Sequence, residues 1–91
     1  MLSVKEFATG DLRGSIYTFE RAGDILPKHV HTEADVHITV VAKGRLLAYS
    51  HDWQKEATAG QIIDFRAGEP HELKALEDDT VIFNVLKKMA A

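Results

Sequence analysis

Five histidines, His29, His31, His37, His51 and His71, stand out in this chain, and the first three fall within nine residues. In extended chain, residues two apart point to one face, so an extended P-K-H-V-H-T presents the imidazoles of His29 and His31 side by side. Pro27 favours that conformation by keeping Leu26 out of helical space. His37 has the same parity, begins the next apolar stretch, and faces the same way if the T-E-A-D turn folds back. His71 follows the turn sequence Gly68-Glu69-Pro70. Four imidazoles from two hairpins can therefore converge. The chemistry that calls for such a cluster is metal ligation, since neutral imidazole suits zinc, copper, iron and nickel. Without an ion, each buried ring nitrogen needs another partner, and protonation near neutral pH sets like charges against each other. The competing reading is a set of surface histidines. An H-x-H pair is common, and Lys28, Glu33 and Asp35 show that part of the segment is wet. Spacing alone leaves the two readings level.

The elements that must position these groups read as strands. Glycines at 10, 14, 23, 44, 60 and 68 separate short segments rich in β-branched and aromatic residues. Val4 to Phe7, Ser15 to Glu20, His37 to Ala42, Arg45 to Ser50, Gln61 to Phe65 and Thr80 to Leu86 are the clear candidates. His29 to His31 and Glu72 to Leu76 are weaker. Asp52 to Thr58 and His71 to Asp78 carry helix formers but fall short of the length, about 12 residues, at which a helix is told from a strand. Several strands are apolar on both faces, as in Ile62-Ile63 and Val81-Ile82-Phe83. Many short strands at even spacing point to an all-β sandwich or barrel.

The chain resembles a small cupin. The first cupin motif is a glycine, five residues, H-x-H, three or four residues, a glutamate, six residues and a glycine. Here Gly23 is followed by D-I-L-P-K and His29-Val30-His31, and six residues, I-T-V-V-A-K, separate His37 from Gly44. The second motif starts at Gly60, continues through Q-I-I-D-F and Arg66 to Gly68, and reaches His71. The likeness covers Gly23 to about Ala75. It implies one β-barrel or jelly-roll domain over residues 1–91, of about eight short strands, with motif 1 at 23–44 and motif 2 at 60–75. It also implies one divalent metal (Mn, Fe, Ni, Zn or Cu) held by His29, His31, His37 and His71. The glutamate position reads as His37 counted from downstream and as Asp35 counted from upstream, so Asp35 is the alternative ligand. Arg66 stands where the motif has proline, and Ala75 where it has asparagine. Neither departure removes a ligand. Four neutral ligands would leave the charge of a divalent ion uncompensated, which favours an anionic substrate or bound hydroxide.

Other residues are assigned more modestly. His51, in S-H-D-W, reads as an exposed loop histidine, and Trp53 as half-buried packing. Tyr17, Thr39, Asp64, Phe65, Phe83 and Asn84 are candidates to line a pocket. Thr39 leads them, because it shares parity with His37 and a hydroxyl can orient a ligand histidine. Asn84 needs a partner if it points inward. Arg66 could reach an anionic ligand but reads as a solvated turn residue. Asp35, Glu33 and Glu69 are the only acid–base candidates near the histidines, and solvation explains them equally well.

The remaining composition sets limits. A chain of 91 residues and 10.1 kDa is one small domain with a modest core. Its 45% hydrophobic and 27% charged residues are ordinary for a soluble globular protein. With no cysteine there is no disulfide, thiolate nucleophile or iron–sulfur cluster. A net charge of −3 carries no nucleic-acid footprint. No apolar run approaches the length that spans a membrane, and no signal peptide opens the chain. A cytoplasmic location fits. The expected activity is that of a metal-dependent enzyme on a small molecule such as a sugar or small acid, of dioxygenase, isomerase or lyase type. The alternative is a non-catalytic module that binds a metal or small ligand. Edge strands on so small a barrel lead us to expect a homodimer.

Overall fold

The computed structural model describes residues 1–29, 36–64 and 70–87. Nine antiparallel strands form two sheets: β1 (Leu2–Thr9), β2 (Leu12–Phe19), β3 (Ile25–His29), β4 (Val36–Lys43), β5 (Arg45–Tyr49), β6 (Gln54–Thr58), β7 (Ile62–Asp64), β8 (His71–Ala75) and β9 (Thr80–Lys87). One sheet has the order β1-β2-β9-β4-β7 and the other β3-β8-β5-β6. Among the described residues there is no helix, so none is long and apolar enough to cross a membrane. The all-β expectation holds, as does each clear strand within a few residues of its ends.

Both segments credited with helix formers are strands. In β8, His71, Leu73 and Ala75 are buried while Glu72 and Lys74 are half-buried. That alternation of period two puts one face in the core, and it overrides the propensity of Glu, Leu, Lys and Ala. In β6 only Ala57 is buried. It pairs with Leu46 and anchors an otherwise polar edge strand.

The core lies between the sheets. Phe19, Val41, Ile63 and Ile82 come from the larger sheet, and Leu46, Ala48, Ala57, Leu73 and Ala75 from the smaller. Tyr17, Leu26 and Trp53 pack against it from the rim. Trp53 is half-buried, as expected, and the Lys55 ammonium lies 5.7 Å from its ring centroid. His51 is exposed.

The two ends of the sandwich differ. One is closed by backbone hydrogen bonds: Gly23 N–H to Ala75 O at 2.8 Å, Asp79 N–H to Glu20 O at 3.1 Å, and Gly60 N–H to Val41 O at 2.7 Å. Thr80 ties that end together. Its hydroxyl donates to the Glu77 carbonyl at 2.9 Å and sits 3.3 Å from both the amide nitrogen and the carbonyl oxygen of Arg45. The other end gathers the β1–β2 and β5–β6 turns, the ends of β3, β7 and β9, and the starts of β4 and β8.

Candidate metal-site end of the sandwich

Three of the candidate positions, His29, His37 and His71, fall at that second end, at the close of β3 and the starts of β4 and β8. His71 opens β8 and is fully buried, on the inward face with Leu73 and Ala75. His29 closes β3, and its backbone lies directly opposite His71 in the β3–β8 ladder. Directly opposed residues of antiparallel strands have Cα atoms about 4.5–5.5 Å apart, close enough for two side chains to share one ion. His37 is the second residue of β4, in the facing sheet, with its backbone opposite Leu86. His31 and Asp35 lie outside the described residues, as do the side chains of His29 and His37. Among the described residues no group of three or more His, Cys, Asp or Glu side chains converges.

β3 and β4 do not pair with each other. β3 pairs with β8, and β4 pairs with β9 and β7. His29 and His71 are thus neighbours within one sheet, and His37 belongs to the other.

A β-bulge in β3 sets the register. Leu26 is opposite Leu73 and His29 is opposite His71, so three steps on β3 match two on β8. In an unbroken strand, positions 26 and 29 fall on opposite faces. The extra residue restores the pairing, so that the backbone of His29 is opposite His71. Pro27 sits in this irregular stretch on an edge strand, where its missing N–H costs no ladder bond.

The interior turns polar towards this end. From the closed end, the inward rows of the larger sheet run Phe19–Thr80, then Tyr17–Ile82–Val41, then Ser15–Asn84–Thr39. Thr39 is fully buried and Asn84 is 8% exposed. They are directly opposite each other, and the Thr39 hydroxyl donates to Asn84 Oδ1 at 2.7 Å. Asn84 therefore has the partner it needed, and the Thr39 proton is committed to it. Tyr17 lies on the inward face, half-buried. Phe83 and Asp64 do not line an interior pocket. Each sits one position out of phase with a buried residue, Ile82 and Ile63, on the outer face of the sheet. Phe65, Arg66, Glu33 and Glu69 lie outside the described residues.

Sequence reasoning missed Tyr49 and Glu72. They are opposite each other on the outer face of β5 and β8, one position from His71, and the Tyr49 hydroxyl donates to Glu72 Oε1 in a short hydrogen bond. The signal was there in the alternation of β8, which a helical reading hides. The bond to the Glu72 carboxylate, then partial burial, then the negative charge of Glu72 raise the Tyr49 phenol above its ordinary value of 10.0. A folded-state value raised above the unfolded one adds stability that is complete below the unfolded value and lost as pH rises through the folded one. Tyr49→Phe is expected to lose about 1 kcal/mol at pH 7. Denaturant titrations should show that difference shrinking above the ordinary tyrosine value. A gap unchanged into strong alkali would rule this source out.

No protein-family model matches the chain, and no curated protein is similar to it. Solved structures are. KdgF from Halomonas sp. superposes with a TM-score of 0.82 at 22% identity, over 98% of this chain and 80% of that one. A conserved protein of unknown function from Streptococcus pyogenes gives 0.82 at 20% identity, over 100% and 77%. A cupin-2 domain protein from Shewanella frigidimarina gives 0.77 at 18% identity, over 94% and 80%. At these identities the likeness is one of fold, and the chain carries the small cupin fold.

Proposed function

We propose that this cupin domain binds one divalent metal at the second end of the sandwich, through His29, His71, His37 and His31, with Asp35 as the alternative to His37. The observation that supports it most is the ladder register, which sets His29 opposite the fully buried His71. The donor chemistry fits such an ion: the His71 imidazole is fully buried, and a neutral imidazole is a donor that such ions take. Manganese, iron, nickel, zinc and copper are all served by imidazole donors, and the set does not choose among them. When bound, the ion would supply Lewis acidity or activation of water or dioxygen.

On this reading the domain acts as a metal-dependent enzyme on a small molecule such as a sugar or small acid, in the manner of a dioxygenase, isomerase or lyase. Neutral ligands leave the ion's charge to be balanced by the substrate, so an anionic group on it is favoured. The non-catalytic alternative, a module that holds a metal or small ligand, differs in one respect. An enzyme needs coordination positions left open to water or substrate, and a closed tetrahedral four-histidine site has none.

The test is elemental analysis of the protein purified without a histidine tag, beside His71→Ala. Near-stoichiometric metal is expected in the parent, with a fall of at least about tenfold in the variant, since losing one of four ligands costs more than losing an outer-shell partner. Circular dichroism must show the variant folded. A parent that takes up none of these metals on titration would sink the proposal.

A further inference from the structure

The inward face of β2 becomes steadily more polar towards the second end of the sandwich. Its residues run Phe19, Tyr17, Ser15 and Arg13: the first is buried, the next two are half-buried and the last is exposed. Counted in rows from the closed end, Ser15 and its ladder partner Asn84 stand third in the larger sheet. His71 stands third in the smaller, beyond Ala75 and Leu73. The Thr39 hydroxyl holds Asn84 Oδ1, which fixes the amide so that both Nδ2 hydrogens turn away from Thr39. Among the described residues nothing accepts from Asn84 Nδ2, from the Ser15 hydroxyl or from the Tyr17 hydroxyl. Polar groups this far inside a fold are met as a rule by protein, water or a ligand. Sequence reasoning passed over Ser15 and Arg13, because neither belongs to a motif and only the β2–β9 register brings them to this end.

The chemistry of this wall is one-sided: it donates. Ser15 and Asn84 are directly opposed, so their side chains start about 4.5–5.5 Å apart and can serve one ligand group together. Arg13 is one step beyond, in the row that carries His37. Its Nη1 donates to the Gly10 and Leu12 carbonyls at 3.3 and 3.2 Å, which holds the guanidinium beside the β1–β2 turn. Its Nε and Nη2 have no partner among the described residues. No Asp or Glu shares the inward face of β2 or β9. Neutral donors backed by one guanidinium suit a single negative charge spread over two oxygens, which is a carboxylate. A dianionic phosphate would bring a second charge that nothing described on this wall offsets.

We propose that Ser15, Asn84 and Arg13 form a carboxylate-binding wall, and that the ligand of this domain is a small organic acid held there by its carboxylate. The wall stands by itself; that a second oxygen of the same acid reaches a metal rests on the metal-binding reading above. Binding of succinate to the full chain, as purified and after chelator treatment, tests the two separately at fixed ionic strength. The readout is the Asn84 side-chain amide in proton–nitrogen correlation spectra. Succinate is expected to shift that signal saturably in both samples, and uncharged succinamide is not. Ser15→Ala and Arg13→Gln change a half-buried and an exposed side chain, so the fold survives, as far-UV circular dichroism will show. Each should weaken binding at least about tenfold, the usual size for a hydrogen bond to a charged group. Binding in the chelated sample that both variants weaken upholds the wall even where elemental analysis finds no metal. Binding that disappears with the chelator assigns the anion to the ion, and overturns the wall while leaving the metal reading in place. An equal shift with succinamide, tighter binding of inorganic phosphate, or indifference to either variant overturns it as well, as does the lack of a saturable shift in both samples.

Discussion

Gly44→Ala is expected to cost about 3 kcal/mol and to lower the melting temperature by about 12–24 °C. Two effects add. Gly44 holds φ at +85°, in left-handed space, where a side chain costs about 1–2 kcal/mol. A Cβ there would also run into the Thr80 hydroxyl and come 2.9 Å from the Thr80 Cα. The Cα cannot move aside, because β9 is held by β2 and β4 on its two flanks. The hydroxyl cannot turn away without leaving the Glu77 and Arg45 groups it ties together. Overpacking of this kind costs about 1–3 kcal/mol more. Gly10→Ala is the control. Gly10 has φ of +58°, but a methyl group there would meet nothing within 4 Å, so only the backbone cost of about 1–2 kcal/mol applies. Equal losses at the two positions in thermal or urea denaturation would show that the contact with Thr80 does not matter.

The second large effect concerns the buried polar pair. Thr39→Val removes the donor and leaves Asn84 Oδ1 without its hydroxyl partner in a buried row. The expected loss is about 1–3 kcal/mol, the desolvation cost of an unmet polar group. Thr39→Val with Asn84→Leu replaces both partners by apolar groups of similar size, and should recover most of that loss. A double-mutant cycle by urea denaturation measures the coupling, and additive losses would mean that the two side chains act independently. If the pair also faces a bound ion, the double variant should be stable yet hold the metal less tightly. Stability and metal content would then part company.

How far the sequence could be read depended on where the decisive interactions lie. Runs such as Ser15–Phe19 and His37–Ala42 are strongly β-branched and aromatic, and they form strands where expected because propensity and burial agree. β6 was hidden, since Gln54, Lys55 and Glu56 are exposed on an edge and only Ala57 reaches the core. β3 was weak because of Pro27, which an edge strand tolerates. The histidine candidates could be named from the sequence, because their types and their cupin-like spacing are written locally. Their pairing could not. It depends on a β3–β8 ladder spanning more than 40 residues and on a one-residue bulge that nothing in P-K-H announces. The outer face of the larger sheet was half legible: doublets such as Ile62-Ile63 showed two apolar faces but not which one meets the core.

The place of β9 has a consequence for how the chain folds. β9, the last strand among the described residues, is the middle strand of the larger sheet, between β2 and β4. Until β9 is in place, that sheet is two ribbons, β1–β2 and β4–β7, with a gap between them. Both flanks of the gap offer unpaired backbone N–H and C=O groups, the template on which strands of other chains add. The chain is therefore most exposed to misassociation before β9 docks, and a truncation that removes β9 takes out the keystone, where one that removes β1 only shortens an edge.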